Sequence, residues 1–396
     1  MAAPTTRGAT LQAEPLTMRI GPYELSSSVV LAPMAGVTDR PFRQIARSFG
    51  AGLAASEMIT SDVRLWSTKK TQRRMDHVGE PEPRVVQLAG ADPEALAEAA
   101  RRNIDLGAQI IDINMGCPAK KVCNRLCGSA LLTDEALVGK ILDAVVNASS
   151  VPVTLKTRTG WSRDLRNGVR IAQLAESCGI AALAIHGRTR EDFYDGAAEY
   201  DTIREIRSRV RIPLFANGDI DSPEKVRAVL DFTGATGVML GRAAHGSPWI
   251  FRDVNYFLSH GKNAPALPLR KICDTILAHL ESLYEFYGEE TGVRVARKHL
   301  GWYFGKLQDA PDVRRELMAA ESSSAQFALT KESLERLVDA EATVATWGGI
   351  ATCAEDSTCS GSGTERWGDF NDGENFTDQE RFRSQWHARS APAQPR

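Results

Sequence analysis

The apolar residues between Met18 and about residue 260 come in short runs rich in Val, Ile and Leu. Almost every run leads into a longer segment with apolar residues at three- to four-residue spacing, the pattern of an amphipathic helix. In DPEALAEAARRNIDLGA, Asp92 supplies an N-cap and Pro93 a first-turn proline. The runs, each given with its first residue, are VVLAPM at 29, LAASEM at 53, RVVQLAG at 84, QIIDINMG at 109, PVTLKTRTG at 152, ALAIHGRT at 182, IPLFANGD at 212 and GVMLGRAA at 237.

Eight strands that alternate with helices over roughly 250 residues predict an α/β fold, a (β/α)8 TIM barrel, for residues 18–260. A doubly wound open sheet is the alternative architecture. The chain has no G-x-G-x-x-G after its first strand and no G-x-x-x-x-G-K-[ST] anywhere, so the barrel is favoured.

The pattern changes after about residue 260. The segments PLRKICDTILAHLESLYEFYG, TGVRVARKHLGWYFGKL, PDVRRELMAAESS and TKESLERLVDAEA have helical spacing and are separated by Gly and Pro. They predict a small all-α domain at residues 261–345. Residues 1–17 are small and polar and predict a flexible N-terminal extension, with Met18 as an alternative start. Residues 346–396, rich in Gly, Ser, Asp and Asn, predict a flexible C-terminal extension.

Composition restricts the class of protein. No apolar stretch approaches the roughly 18 residues of a membrane helix, so we expect a cytoplasmic protein without a membrane partner. The seven cysteines form no C-x-x-C pair, which predicts reduced thiols and no metal site. The net charge is −2, but residues 341–396 hold nine acidic residues and five Arg, a net of −4, so residues 1–340 carry +2. A weakly positive body can bind RNA if its basic residues cluster, but the composition alone does not show such a cluster.

Polar side chains follow the predicted strands, where catalytic groups sit in this fold. Small residues in ANGD and LGRA, after the last two strands, would let backbone N–H groups approach an anion that Arg242 neutralises. We therefore expect a phosphorylated cofactor, although tight turns alone would also explain Gly218 and Gly241. Lys156 closes the run VPVTLK, so its ammonium should face the barrel mouth and meet an anion. The anion is either a carboxylate, Asp112 or Glu57, or the electron-rich edge of a flavin.

Taken together, these motifs resemble those of the bacterial tRNA-dihydrouridine synthases, and within them the B subgroup. The resemblance runs in order from about Met18 to about Val338 and rests on LAPMAGVTDRPFR, SEM, VVQLAG, IIDINMGCPAKKVCN, GSALL, VTLKTRTGW, IHGRTR, AEYD, IPLFANGDI, GVMLGRAAHGSPWIF and ARKHLGWY. Members of this family generally end with the helical domain, whereas this chain continues for some 55 residues, about a seventh of its length.

The resemblance implies an FMN enzyme that reduces the C5–C6 double bond of a uridine in tRNA, with NADPH as the reductant of the flavin. Cys117 would be the catalytic proton donor. The implied cofactor-binding residues are Pro33, Met34, Ala35, Gln87, Lys156, His186, Asn217, Gly218, Asp219, Gly241 and Arg242.

The cysteine in the stretch INMGCPAKK would act as an acid, which must be protonated before it reacts. We therefore expect a pKa near or above the reference of about 8.5, unlike that of a nucleophilic thiolate. Gly116 would let the chain pass close to a flat cofactor, and Pro118 would stiffen the loop. Asn114 would position the thiol or the uracil edge. Cys123 and Cys127 have no such setting and are interpreted as structural.

The substrate base lies inside a folded RNA and must be swung out of its stack, while phosphate contacts hold the rest of the molecule. Basic residues beside the predicted site and on one face of a predicted helix would make these contacts, and we expect the protein to be a monomer. The predicted RNA-binding residues are Asn114, Lys120, Lys121, Arg188, Arg294, Arg297 and Lys298.

Two other functions fit parts of the pattern. A small-molecule flavin oxidoreductase of the dihydroorotate dehydrogenase type would run related chemistry on a pyrimidine, but the basic helical domain and the AKK after Cys-Pro argue against it. A non-catalytic RNA-binding protein would retain only the barrel as a scaffold. The presence of Cys117, Lys156 and the strand-end glycines argues against this non-catalytic hypothesis.

Overall fold

The structure is a computed structural model that describes residues 18–124, 126–306 and 311–339, without the side chains of Lys121, Pro311 and Asp339. The two predicted extensions, at residues 1–17 and 346–396, lie outside the described residues.

Within these residues, eight parallel strands form one sheet in the order β3-β10-β9-β8-β7-β6-β5-β4, and β1 and β2 form a separate antiparallel hairpin. The strands are β1 (Met18–Ile20), β2 (Tyr23–Leu25), β3 (Val29–Leu31), β4 (Ile59–Thr60), β5 (Val85–Ala89), β6 (Ile110–Met115), β7 (Val153–Gly160), β8 (Ala182–Thr189), β9 (Leu214–Asn217) and β10 (Gly237–Leu240). The predicted (β/α)8 barrel is confirmed.

The second predicted strand is only partly regular. The run LAASEM contributes isolated parallel bridges, Leu31 with Ala54 and Ala55 with Val85, and regular pairing begins only at Ile59. These bridges connect β3 to β5 through the backbone of residues 54–55, so the sheet closes there. The irregular backbone leaves Glu57 between the bridges and β4, at the mouth of the barrel.

Helices surround the sheet, and several begin at residues that cap their first N–H groups. Asp92 accepts from the N–H of Ala95 at 2.7 Å and Pro93 is the first helical residue, as the sequence predicts. The helices of this layer are α1 (Arg40–Ser48), α2 (Lys69–Met75), α3 (Pro93–Asp105), α4 (Lys120–Cys123), α5 (Glu135–Ala148), α6 (Gly168–Ser177), α7 (Asp201–Arg209), α8 (Pro223–Thr233) and α9 (Ile250–His260), with 3-10 turns at Val63–Leu65, Gly128–Thr133 and Arg242–Ala244.

Apolar residues fill the barrel at the N-terminal ends of its strands. Met18 and Ile20 of the hairpin pack there against side chains such as Val30 and Phe215. A second and larger layer lies between the strands and the outer helices. Because the N-terminal end is closed by apolar side chains, the polar chemistry of the barrel is left to the C-terminal ends.

Four helices follow the barrel in the described part of the chain: α10 (Leu269–Tyr287), α11 (Glu289–Phe304), α12 (Pro311–Ala319) and α13 (Ser323–Asp339). They share an apolar core of their own that includes Ile276, Leu280 and Leu300. Phe42 of α1 packs against the rings of His279 and His299 on α10 and α11, which brings these helices against the barrel. None of the helices in the described ranges is long and apolar enough to cross a membrane.

Candidate active site

The polar residues at the C-terminal ends of the strands lie side by side on neighbouring parallel strands. Asn114 of β6 lies opposite Lys156 of β7, and His186 of β8 lies opposite Asn217 of β9. Gln87 of β5 precedes them in the sheet, opposite Asp112. Parallel strands end at the same edge of the sheet, so residues that are far apart in sequence meet at one mouth.

A chain of hydrogen bonds orients the amide of Asn114. Thr154 and Gln87 both donate to the buried carboxylate of Asp112, each at 2.7 Å. Gln87 in turn accepts from the Asn114 amide at 2.8 Å. The Asn114 Oδ1 is therefore turned towards the loop after β6, where it accepts from the backbone N–H of Cys117 at 3.0 Å. Gln87, predicted to bind a cofactor, lies inside this network.

Cys117 is held by its backbone and is partly buried. Its carbonyl accepts from the N–H and the hydroxyl of Ser129, at 3.1 and 2.9 Å. A Cβ at Gly128, which has a φ of +61°, would come within 2.8 Å of that carbonyl, so the GSALL motif packs directly against the cysteine loop. Burial raises the pKa of the thiol above its ordinary value of 9.0. The thiol is thus kept protonated, the state that an acid requires.

Arg158, which is not among the residues predicted from the sequence, also supports the cysteine loop. Its side chain is buried, with 1% exposure, and its Nε donates to the carbonyl of Gly116 at 2.8 Å. Its Nη1 donates to the carbonyls of Thr189 and Phe193. Alternation along β7 was the available signal, because Arg158 stands two residues after Lys156 and shares its side of the strand.

Tyr194 was likewise missed, and no motif marks it. Its ring lies 5.3 Å from the Arg158 guanidinium and 5.4 Å from that of Arg242, and 6.1 Å from the ring of His186. The side chain is 54% exposed. Tyr194 therefore offers an aromatic face at the mouth, next to the cysteine loop.

Lys156 has its ammonium inside the mouth. Its Nζ donates to Asn217 Oδ1 at 3.1 Å, and Asn217 is itself oriented by donating to the carbonyl of Met239. Neither Asp112 nor Glu57 forms an ion pair with it among the described residues. Asp112 accepts hydrogen bonds from Gln87 and Thr154. Glu57 accepts from the N–H of Gly36 and pairs with Arg74. Burial, together with the positive charge of Arg158, lowers the pKa of Lys156 to about 8.

Arginines and one carboxylate line the neighbouring part of the mouth. Arg188 is 3% exposed and pairs with Asp219 at 2.6 Å, and Arg242 pairs with the same carboxylate at 2.9 Å. Arg188 also donates to His186 Nε2 at 3.2 Å, so this nitrogen accepts and the imidazole is neutral. Burial and the surrounding cations lower the pKa of His186, in agreement with a neutral ring.

The structure changes the interpretation of two residues in this group. Arg188, predicted as an RNA contact, is buried in the site because it neutralises Asp219. Asp219, predicted to bind the cofactor directly, uses its carboxylate to hold the two arginines and the N–H of Ala198. Two guanidinium groups and one carboxylate leave a net positive charge, which suits an anion.

The loop after β3 completes the mouth. The carbonyl of Met34 accepts from the N–H groups of Val37 and Thr38, both at 3.0 Å, and the Thr38 hydroxyl accepts from the N–H of Met34 at 2.9 Å. A Cβ at Gly241 would lie 3.6 Å from the Met34 sulfur, so this loop borders the end of β10. At Gly218, where φ is +119°, a Cβ would meet His186 at 2.9 Å, so the glycine is required by packing. Pro33 and Ala35 flank Met34 in the same loop.

The residues predicted to contact RNA are not all on a free surface. Lys120 and Arg294 are exposed, and Arg294 lies 3.7 Å from Glu290. Arg297 donates to the carbonyl of Ala320, and Lys298 donates to a carbonyl of the barrel. All three cations lie on the one helix α11, but two of them are engaged by neighbouring elements, so their contact with RNA stays a prediction. The side chain of Lys121 lies outside the described part of the structure.

Two exposed lysines were not predicted. Lys69 and Lys70 begin α2, which follows β4 on the side of the barrel mouth, and neither forms an ion pair within the described residues. Further along α2, Arg73 donates to the carbonyl of Tyr287 at 2.8 Å, so this helix lies against α10. No group of three or more His, Cys, Asp and Glu side chains that could hold a metal ion occurs among the described residues.

Comparison with known proteins shows what the whole chain is similar to. A family model described as dihydrouridine synthase matches residues 30–342. The tRNA-dihydrouridine synthase B of Pseudomonas aeruginosa is 60% identical over 315 residues, which is 80% of this chain and 95% of the relative. Those of Xanthomonas axonopodis pv. citri and Vibrio cholerae are 58% and 54% identical, over 81% and 78% of this chain and 97% and 96% of the relatives. The chain belongs to the dihydrouridine synthase family.

Proposed function

We propose that this protein reduces the C5–C6 double bond of uridines in tRNA to dihydrouridine, with FMN as cofactor and NADPH as reductant. The observation that carries the proposal is Cys117, a thiol whose pKa is raised by burial, on a loop fixed beside Lys156 and Arg158 at the barrel mouth. The printed function of the relatives, which are named tRNA-dihydrouridine synthases, supports the same reaction.

The side chains at the mouth fit a flavin mononucleotide. Arg242 and Arg188, with one carboxylate between them, suit its phosphate. Lys156 suits the pyrimidine edge of the ring, because it has no carboxylate within ion-pair distance among the described residues and would stabilise negative charge there. Pro33, Met34, Ala35, Asn217, Gly218 and Gly241 would line the remaining contacts. Reduced FMN, when bound, would supply the hydride that C6 of the uracil receives.

Cys117 would give its proton to C5 of the uracil. Asn114 sets the position of the thiol, because its amide oxygen holds the N–H of Cys117 and is itself oriented by Gln87. Arg158 donates to the carbonyl of Gly116, which belongs to the same peptide group as the N–H of Cys117. The loop is thus preorganised, and general acid catalysis from a placed group contributes about 10²–10⁴ in rate.

The uridine must leave its stack to reach this thiol. The exposed ring of Tyr194 offers a stacking surface for a base at the mouth, and Arg158 lies behind it. Phosphates of the RNA would be held by exposed cations around the mouth, for which Lys120, Lys69 and Lys70 are placed. We expect the protein to act in the cytoplasm, as a monomer.

The proposal is tested by reducing the purified protein and mixing it with unmodified bulk tRNA without oxygen, while following the flavin absorbance near its band at about 450 nm. Reoxidation by tRNA, with 5,6-dihydrouridine found in the digested product, is the expected result. Reoxidation by free orotate but not by tRNA would instead favour the small-molecule oxidoreductase. Failure to copurify with or rebind any flavin would overturn the assignment of the mouth.

A further inference from the structure

Lys298 reaches from α11 into the loop that follows β3. Its ammonium donates to the carbonyl of Gly36, a contact between residues 262 positions apart. The sequence pattern predicts that this lysine contacts RNA, but in the structure it is half-buried and its ammonium is engaged by the barrel loop. Partial burial lowers its pKa. A cation in this position acts on the barrel loop.

A second side chain holds Gly36 from the other direction. Glu57 Oε1 accepts from the N–H of Gly36 at 2.6 Å, and the same oxygen accepts from Arg74 at 3.1 Å. Gly36 has a φ of +76°, and a Cβ built on it would meet nothing within 4 Å. The tip of the loop therefore has open space beside it, and two charged side chains add to the hydrogen bonds of the turn in holding it.

Two buried carboxylates, Asp39 and Glu57, stand near the half-buried ammonium of Lys298. Asp39, at the start of α1, accepts from the Tyr287 hydroxyl of α10 at 3.0 Å and from the N–H of Phe42 at 3.0 Å. Burial raises the pKa of Asp39 to about 6, and the positive charge of Lys298 opposes this rise. Removal of one member leaves another buried charge uncompensated, so this arrangement strongly favours one relative position of loop and helix.

We propose that Lys298 is a positioning residue that holds the loop of residues 33–36 in the conformation that contacts the cofactor, and so connects the helices α10 and α11 to the flavin site. The inference rests on the proposed function, since it assigns this loop to the flavin. It gives Lys298 a role in cofactor binding in place of the role in RNA binding that its position in the sequence indicates.

The two roles predict different losses in the variant Lys298→Met. A positioning role predicts that the Kd for FMN rises roughly tenfold, the size of one lost charge-assisted hydrogen bond, with a smaller change in the Kd for tRNA. Lys298→Arg keeps a charged donor and should stay within about twofold of the wild type. Arg294→Met, on the exposed side of the same helix, should leave the Kd for FMN unchanged.

The experiment measures FMN affinity of the full chain by quenching of flavin fluorescence, and tRNA affinity by filter binding, for each variant. A Lys298→Met protein with unchanged FMN affinity and weakened tRNA binding would overturn the inference and restore the RNA-contact role. Should Lys298→Met not fold, Lys298→Gln replaces it, because an amide is polar enough for a half-buried position but too short to reach the carbonyl of Gly36.

A further readout does not depend on the flavin. Hydrogen exchange of the peptide that contains residues 34–38 should be faster in Lys298→Met than in the wild type, with no cofactor present. If the wild type binds no FMN, the proposed function fails while this measurement still decides the role of Lys298. Equal exchange in both proteins would show that the lysine does not hold the loop.

Discussion

The properties of single residues at the barrel mouth follow from which charges are paired. Asp112, Glu57 and Asp219 all have partners other than Lys156, so this ammonium is left without a carboxylate in ion-pair range among the described residues. Cys117 has a raised pKa because it is buried, even though Lys156 and Arg158 oppose the rise. The site thus combines a retained proton with an available positive charge.

Replacement of the thiol should abolish proton transfer and leave cofactor binding intact. We expect Cys117→Ala to slow reoxidation of the reduced flavin by tRNA by at least about 10²-fold, the usual contribution of a general acid. Single-turnover kinetics without oxygen measure this rate, and Cys178→Ala, at the end of α6, is the matched control. A Cys117→Ala protein with the wild-type rate would exclude the acid role.

The pH dependence of FMN affinity should report on Lys156. With a pKa of about 8, the side chain is charged at pH 7 and loses its charge as the pH rises, so the Kd for FMN should increase between pH 7 and 9. One linked proton limits this change to about tenfold per pH unit. Lys156→Met should bind more weakly at pH 7 and show a flat profile over this range. An equally steep profile in the variant would assign the dependence to another group.

At the scale of elements, charged contacts tie helices to the irregular segments of the barrel. Arg43 of α1 is buried and pairs with Glu80, which also accepts from His77. Burial alone would raise the pKa of Glu80, but the hydrogen bonds from His77 and Arg43 lower it to about 2. This contact holds the segment between α2 and β5 against the first helix.

Loss of this pair should destabilise the fold. We expect Glu80→Gln to lower the free energy of unfolding by about 3 kcal/mol, because it leaves Arg43 buried without its charge partner. The folded pKa of Glu80 lies below the unfolded value, so its contribution is present above about pH 4.5 and lost as the pH falls towards 2. Urea unfolding as a function of pH measures both effects. Glu82→Gln, at an exposed position, should change little, and a similar loss there would contradict the assignment.

At the scale of the whole molecule, the formal net charge of −2 conceals a local distribution that suits RNA. Lys69 and Lys70 on α2, Lys120 beside Cys117 and Arg294 on α11 are exposed. Arg73 links α2 to α10, so basic residues of the barrel and of the helical region belong to neighbouring elements. Binding of a polyanion therefore depends on where the cations lie and not on their sum.

The salt dependence of tRNA binding should reveal the contribution of α2. For the double variant Lys69→Ala with Lys70→Ala, we expect weaker tRNA binding and a slope of log affinity against log salt shallower by about 1 to 2. Filter binding over a range of salt concentrations measures the slope. Lys140→Ala, exposed on the outer helix α5, is the control and should leave it unchanged. An unaltered slope in the double variant would remove α2 from the RNA surface.

The hydrophobic pattern and short motifs of the sequence were sufficient to predict the barrel, the cap of α3 at Asp92, the helical region after residue 260 and the grouping of Asn114, Lys156, His186 and Asn217. Strand ends can be read from the pattern because all parallel strands of a closed barrel finish at one mouth. The contacts that Arg188, Arg297 and Lys298 make in the structure could not be predicted in this way. Whether a cation faces solvent or pairs with a buried group depends on contacts between residues that are distant in the chain.

The sequence by itself determined which fold forms and which residue types gather at its mouth, because periodicity and local capping depend on neighbours along the chain. Only the tertiary structure decided how these residues are paired. Asp219 holds two arginines, Arg158 supports the loop of Cys117, and Lys298 holds Gly36 across 262 positions. Burial and charge pairing depend on distances in space, and these distances are set when the strands close and the helices pack against them.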